Sequence, residues 1–229
     1  MRRVVMLCCV LTLGASIAPA CLAQMGMDLF RKPTIMKAFN PVVGRGAEYE
    51  STNGKGDKPS KMELGIVGKE SVDGKEAYWM QFYNDDGKGE NVVGKSLITR
   101  DDFQFHRMII QQPGQPAMEM PNMFNRKDNK MQESLSEWHS VGTESITVPA
   151  GTFSCEHWRN DKTNSDIWTS DKVTPFGAVK EVSPNHNMVL VRLISDVPDR
   201  IKGPVQQFNM QEMMQQMQQK RQQQQQQKP

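Results

Sequence analysis

The stretch from Gly89 to Ser96 (GENVVGKS) matches a known chemical motif letter for letter, the G-x-x-x-x-G-K-[ST] phosphate-binding loop. A working loop of this kind follows a buried strand, wraps backbone N–H groups around phosphates and opens directly into a helix. Here the loop interior holds β-branched Val92 and Val93, and residues 96–100 (SLITR) favour a continued strand. The pattern therefore predicts an ordinary hairpin, and we expect no nucleotide ligand.

Metal ligation is the second chemistry that the residue types allow. The histidines His106, His139, His157 and His186 are scattered, and none forms a zinc-type pair. Cys155 and His157 stand two residues apart, so on a strand they share a face and could supply two ligands. The sequence names no third ligand, and the alternative interpretation is that both residues serve packing or lie at the surface.

Methionine is the residue type whose distribution in this chain is unusual. Met118, Met120 and Met123 lie close together, and the C-terminal region carries a second set spaced as one face of a helix. Thioether sulfur is a soft ligand that suits Cu(I), so the second set provides candidate ligands for a copper-handling protein. The alternative is an adaptable apolar surface that docks onto the protein's own sheet or onto a partner. The four candidate ligands are Met210, Met213, Met214 and Met217.

Catalytic motifs are missing from the sequence. It contains no G-x-S-x-G elbow, no glycine-rich dinucleotide fingerprint and no acidic dyad in a recognisable setting. The acid pairs at residues 85–86 and 101–102 fall in predicted turns, where aspartate serves structural purposes. We therefore expect a protein that is not an enzyme and holds no cofactor.

The N-terminus has the form of a secretory signal peptide. Arg2 and Arg3 provide the positive region, and residues 4–18 form an apolar stretch too short to cross a bilayer comfortably. Small side chains follow at the positions that a signal peptidase reads. We expect cleavage after Ala23, with cleavage after Ala20 and a retained membrane anchor as alternatives.

Removal of residues 1–23 changes the cysteine count and the charge. Only Cys155 remains in the mature chain, so an internal disulfide is impossible. The leader carries two of the 28 basic residues and none of the 26 acidic ones, so the mature chain is near neutral, which argues against a nucleic-acid partner. We expect a periplasmic or secreted protein that associates with a membrane only if Cys21 is lipidated, although Pro19 makes a poor lipidation signal.

From Gly46 to about Asp196 the sequence alternates in short segments separated by turn residues, which is typical of antiparallel β-structure. The clearest feature is a hairpin of residues 61–72 and 76–83 around a tight turn at residues 73–74. The strand at 188–195 is apolar on both faces, which predicts a place in the sheet centre with cover on each side. The other predicted strands are residues 91–99, 103–111, 142–148, 152–159, 166–169 and 177–182.

The expected fold is mainly β (a β-rich α+β domain), a large curved antiparallel sheet or half-barrel with one or two covering helices. Residues 24–44 predict a short helix or two turns, and residues 122–138 a helix or an ordered loop. The expected organisation is a signal peptide at 1–23, one domain at 24–205, and a Gln/Met-rich tail at 206–229 that is helical or disordered.

The segments 144–153 (ESITVPAGTF), 166–170 (DIWTS) and 173–180 (VTPFGAVK) resemble uncharacterised domains of exported bacterial proteins. In those domains the V-P-A-G-T-F, W-x-S and P-x-G-x-V-K patterns belong to a curved half-barrel sheet. That fold is similar to the outer-membrane lipoprotein carrier proteins, which hold acyl chains in the hollow of the sheet. The resemblance covers about residues 142–183 and implies a fold, without catalytic residues.

The expected function is therefore a non-enzymatic binding module in the cell envelope. Its concave face would receive an apolar small molecule or a hydrophobic protein segment. The alternatives are a structural or assembly protein that docks through its tail, and a copper-handling protein. The candidate ligand-binding residues are Tyr78, Met80, Phe82, Phe153 and Trp168.

Overall fold

A computed structural model describes residues 39–52, 59–85, 91–120 and 138–208, and every regular element within them is a β-strand. The strands are β1 (Gly46–Thr52), β2 (Ser60–Val72), β3 (Lys75–Asp85), β4 (Val92–Thr99), β5 (Phe105–Gln111), β6 (Ala117–Met120), β7 (Trp138–Val148), β8 (Gly151–Asn160), β9 (Ser165–Thr169), β10 (Ala178–Ser183), β11 (His186–Ile194) and β12 (Val205–Gln207). They form one open curved sheet in the order β12-β6-β5-β4-β3-β2-β1-β11-β10-β9-β8-β7. Neighbours are antiparallel except β12 and β6. The predicted large antiparallel sheet is confirmed.

The β2–β3 hairpin shows how local sequence sets the register. Asp73 and Gly74 have φ angles of 51° and 78°, the two positive values that a type I′ turn requires. This turn places Leu64 opposite Phe82, and both side chains lie on the same face of the hairpin. The predicted hairpin is confirmed.

The inner face of the sheet carries the core. Three rings pack together there, with Phe39 at 5.3 Å from Phe103 and 5.4 Å from Phe176 between ring centroids. The fully buried Tyr49 donates its hydroxyl to the carbonyl of Ala178 at 3.1 Å. The centre of the hollow is therefore a packed core. Its buried strand residues include Ala47, Leu64, Ile66, Tyr78, Met80, Ile98, Met188 and Leu190.

The outer face of β2–β5 is crossed by residues 195–204, which we call the crossing segment. Gln81, on the outer side of β3, is 2% exposed and forms two hydrogen bonds with the crossing segment. Its side-chain amide donates to the Pro198 carbonyl at 3.0 Å, and the Arg200 backbone N–H donates to its side-chain oxygen at 2.8 Å. The crossing segment carries the chain from β11 to β12 at the sheet edge.

The β7–β8 hairpin bends back onto the sheet. β9 pairs with only the second half of β8, so the first half and the turn extend beyond β9. At the tip, the Ala150 N–H donates to the Leu190 carbonyl at 3.4 Å. This bend places Val148, Phe153 and Cys155 in the core.

Two sequence interpretations are settled by the strand positions. The second half of the phosphate-loop pattern, residues 92–96, lies inside β4, which continues to Thr99 as a strand, as predicted. β11 lies between β1 and β10 in the interior of the sheet, also as predicted. Its second face is only partly covered, because Leu193 is 44% exposed.

Several predictions fall outside the described residues. The leader at 1–23, most of the 24–44 and 122–138 segments, and residues 209–229 of the tail are among them. Trp138, at the end of the predicted interior helix, lies in β7. Within the described ranges no helix has the length and hydrophobicity that would cross a membrane.

Candidate ligand-binding cavity

The structure does not bring the five predicted ligand-binding residues together in one open site. Tyr78 and Met80, on the inner side of β3, are only 6% and 1% exposed and belong to the packed core. Phe82 is half-buried farther along the same strand, and Phe153 is buried in the β7–β8 hairpin. Trp168 follows Ile167 on β9 and therefore points to the other side of the sheet.

Trp168 belongs instead to a polar cluster on the outer side. Its ring stacks on the His157 imidazole at 4.5 Å between centroids, and its indole N–H donates to Glu144 at 2.6 Å. His157 Nδ1 lies 3.0 Å from the Glu144 carboxylate, and Nε2 lies 2.8 Å from Asp166. Both imidazole nitrogens therefore face carboxylates. Cys155 lies opposite Glu144 in the β7–β8 register and is buried. Across the described residues, no group of three His, Cys, Asp or Glu side chains is placed to hold a metal.

A cavity of about 460 Å³ opens on the inner side of β8 and β9, and we call it the hairpin cavity. Trp158 on β8 lies opposite Ile167 on β9, and Ile167 is fully buried, which places this wall on the core side of the sheet. The volume falls in the range of small-molecule pockets. Its walls are formed by Phe39, Asn40, Thr143, Ser154, Cys155, Glu156, Trp158, Thr169, Ser170 and Asp171.

The segment before β1 and the loop after β9 hold one wall of the cavity in place. The Asn40 N–H donates to the Pro175 carbonyl at 2.9 Å, and the Thr174 hydroxyl donates to the Asn40 carbonyl at 2.6 Å. The loop is closed by the Ser170 N–H, which donates to the Gly177 carbonyl at 2.7 Å. These bonds join two segments that are distant in the sequence, so the wall exists only in the folded protein.

The cavity has a buried floor and a polar rim. Phe39, Cys155, Thr169 and Ser170 are each less than 10% exposed. Trp158 is half-buried between floor and rim. The exposed rim residues are Asn40, Thr143, Ser154, Glu156 and Asp171.

Two polar atoms of the walls have no hydrogen-bond partner. Ser170 Oγ and Trp158 Nε1 are buried and unpaired, although the Ser170 backbone N–H and carbonyl are both hydrogen-bonded within the loop. A buried polar atom without a partner costs about 1–3 kcal/mol. Such atoms are uncommon in folded proteins, and at the wall of a cavity they are consistent with a ligand site.

Cys155 should react slowly in the folded protein. It is 1% exposed, and burial, with a smaller contribution from the Glu144 carboxylate, raises the pKa of the thiol to about 11. The thiolate is the reactive form of cysteine. The raised pKa should therefore lower the rate of Cys155 alkylation at pH 8 about 100-fold. Iodoacetamide labelling with peptide mass spectrometry should show rapid modification of Cys155 only in urea. Equal rates in the folded and unfolded protein would contradict its burial.

Sequence reasoning identified the elements around this cavity but missed the cavity itself. The predicted ligand-binding residues Phe153 and Trp168 are not among the described lining residues, whereas Ser154 and Ser170, close to them in the sequence, are. One signal was available: the W-x-S pattern places Ser170 immediately after a strand, at the start of a loop. The four candidate copper ligands at Met210 to Met217 lie outside the described residues.

The chain is similar in shape to several solved structures. A protein classed as a lipoprotein from Parabacteroides distasonis ATCC 8503 has a TM-score of 0.38 and 16% identity, over 68% of this chain and 97% of that one. A protein classed as exported, with a YmcC-like fold, from Bacteroides fragilis NCTC 9343 has a TM-score of 0.36 and 12% identity over the same shares. MucB in complex with MucA(peri) has a TM-score of 0.42 and 10% identity, over 75% of this chain and 56% of MucB. Likenesses of this degree do not identify a function. No family model and no curated protein matches the sequence.

Proposed function

We propose that this chain is an exported, non-enzymatic binding module and that the hairpin cavity receives an apolar small molecule or an apolar segment of a partner. The observation that carries the proposal is a cavity of about 460 Å³ whose buried floor includes an unpaired serine hydroxyl. Export is supported by the signal-peptide pattern of residues 1–23.

The packing of the sheet supports this location over the centre of the hollow. Tyr78 and Met80 already fill the central inner face, so a ligand there would have to displace core side chains. At the hairpin cavity, by contrast, Phe39 and Trp158 offer apolar surface beside open space. A preformed concave space that combines apolar surface with polar groups fixing the orientation of a ligand is the usual form of a small-molecule site.

A tryptophan at position 154 should block the cavity. Ser154 is an exposed rim residue, so the substitution Ser154→Trp adds bulk at the mouth without entering the core. We expect the wild-type protein to increase the fluorescence of N-phenyl-1-naphthylamine, a neutral apolar probe, and the variant to bind it about tenfold or more weakly. A fluorescence titration measures the affinity, and circular dichroism checks that the sheet is intact.

The matched control is Ser71→Trp, which places the same ring at an exposed position on β2, outside the cavity walls. This variant should bind the probe as the wild type does. Native mass spectrometry of the protein purified from the exporting cell should also show a bound apolar molecule. A wild-type protein that neither binds the probe nor carries a bound molecule would overturn the proposal, as would equal loss in both variants.

The assembly and copper alternatives remain predictions. Both depend on residues 209–229, which lie outside the described residues. The structure does describe the start of this region: β12 pairs with β6, and the Phe208 N–H donates to the Glu119 carbonyl at 3.0 Å. The sheet pairing therefore extends past Val205, the boundary drawn from composition.

A further inference from the structure

We infer that the hairpin cavity selects ligands that carry a primary ammonium group beside an apolar chain, an inference that rests on the proposed binding function. The charges at the rim are the first observation. Glu156 and Asp171 both line the cavity and are exposed, and the described lining includes no lysine, arginine or histidine. Lys172 follows Asp171 in the sequence but is not part of the wall.

The second observation is how these two carboxylates are paired. Within the described part of the chain, neither Glu156 nor Asp171 forms a salt bridge, whereas several other acids do, including Glu63 with Arg200 at 2.6 Å. The side-chain contact described for Glu156 is the Ser140 hydroxyl at 3.4 Å. The rim is therefore negative, which favours a cationic group and disfavours a carboxylate at the same place.

The neutral groups of the cavity suit an ammonium ion. Ser170 is 5% exposed, precedes Asp171 in the chain, and has an unpaired hydroxyl oxygen that can accept a hydrogen bond. A primary ammonium group has three N–H donors, which two carboxylates and one hydroxyl can satisfy together. The Trp158 ring adds an aromatic face, which attracts cations. Phe39 and the buried Cys155 leave apolar surface for the attached carbon chain.

A competition experiment with three probes of equal chain length tests the inference. Decylammonium, decanol and decanoate, each below its critical micelle concentration, are used to displace N-phenyl-1-naphthylamine from the full chain. We expect decylammonium to displace the probe at a concentration about tenfold lower than decanoate, with decanol between them. The difference should shrink in 0.5 M salt, because exposed charges are screened.

The double variant Glu156→Gln with Asp171→Asn should bring the displacing concentrations of decylammonium and decanoate to within about twofold of each other. The control is Asp101→Asn with Asp196→Asn, which removes the same charge from exposed positions outside the cavity. This control should keep the wild-type preference. Ser170→Ala should weaken the binding of decylammonium more than the binding of decanol.

The outcomes separate the two proposals. Failure of the fluorescent probe to bind, together with the absence of a bound molecule in native mass spectrometry, would overturn the binding function itself. Binding with decanoate equal to or better than decylammonium, or a preference that survives the double variant, would overturn the ammonium inference alone. A lysine-containing apolar peptide and a lysophosphatidylethanolamine, compared as competitors, then show whether a protein segment or a lipid amine supplies this chemistry.

Discussion

Replacing Phe176 with alanine should lower the free energy of unfolding by about 3–5 kcal/mol, because deletion of a buried aromatic ring loses its burial and leaves a void. Phe176 is fully buried, and its ring lies 5.4 Å from Phe39 and 5.8 Å from Phe103 between centroids. Since small domains are stable by about 5–15 kcal/mol, this is a large fraction of the total. Urea unfolding followed by tryptophan fluorescence measures the change.

Leu193→Ala is the control for this substitution. Leu193 is a large apolar residue on β11 but is 44% exposed, so its truncation should cost less than about 1 kcal/mol. Phe176→Ala should also weaken binding of the fluorescent probe, because Phe39 packs on the Phe176 ring and forms part of the cavity floor. Equal destabilisation by the two substitutions would show that the three-ring cluster is not packed as described.

Replacing Gly46 with alanine should destabilise the protein by about 3 kcal/mol, near the upper end of the usual cost of overpacking. Gly46 pairs with Gly65 across β1 and β2, beneath the crossing segment. A Cβ at position 46 would lie 2.4 Å from the Leu64 carbonyl oxygen and 2.8 Å from a methyl group of Val197. A side chain can rotate away, but the Leu64 oxygen is backbone within the sheet, so relief requires the two strands to separate.

Gly68→Ala provides the matched test on β2. A Cβ at position 68 would approach only the Trp79 ring, at an ordinary contact distance of 3.7 Å. We expect a change within about 0.5 kcal/mol of zero in the same urea experiment. If Gly46→Ala were as well tolerated as Gly68→Ala, the close approach of β1, β2 and Val197 would be disproved.

The proposed site lies away from the centre of the hollow because of what the aromatic residues do there. Phe39, Phe103 and Phe176 pack against one another over the central strands, and together with the buried strand residues they form the core there. Open space persists where the β7–β8 hairpin bends away from β9. A binding function for this fold therefore depends on the hairpin and on the loop that begins at Ser170.

The sequence predicted the strands well because strand signals are local. Alternation of apolar residues every second position located β2, β3, β8 and β9, and the Asp73-Gly74 pair specified a turn that the φ angles confirm. β1 was not among the individually predicted strands, and the short strands β6 and β12 were not predicted either. β6 follows a proline-rich stretch, and β12 lies at Val205–Gln207 where composition indicates a tail. Their pairing joins segments 88 residues apart, from Ala117 to Val205, which no local pattern shows.

The candidate site was less accessible to sequence reasoning than the fold. Tyr78, Met80 and Trp168 are bulky candidate ligand-binding residues, but two of them fill the core, and the third packs against it and stacks on His157. Hydrophobic side chains in a β-protein are usually core residues, so their presence does not distinguish a ligand site from packing. Ser170 and Glu156 have ordinary surface-type side chains, and only their position beside open space gives them significance.

The sequence by itself determined the β-rich class, the main hairpin with its turn, and the strand at residues 92–96 of the phosphate-loop match, because each depends on residues close together in the chain. It also carries the signal-peptide pattern of residues 1–23. Only the tertiary structure decided that the centre of the hollow is packed and that a cavity opens beside the β7–β8 hairpin. That cavity needs Asn40 bonded to Pro175 and Ala150 bonded to Leu190. Contacts between residues this far apart arise from the balance of packing over the whole sheet, which the local pattern of side chains does not contain.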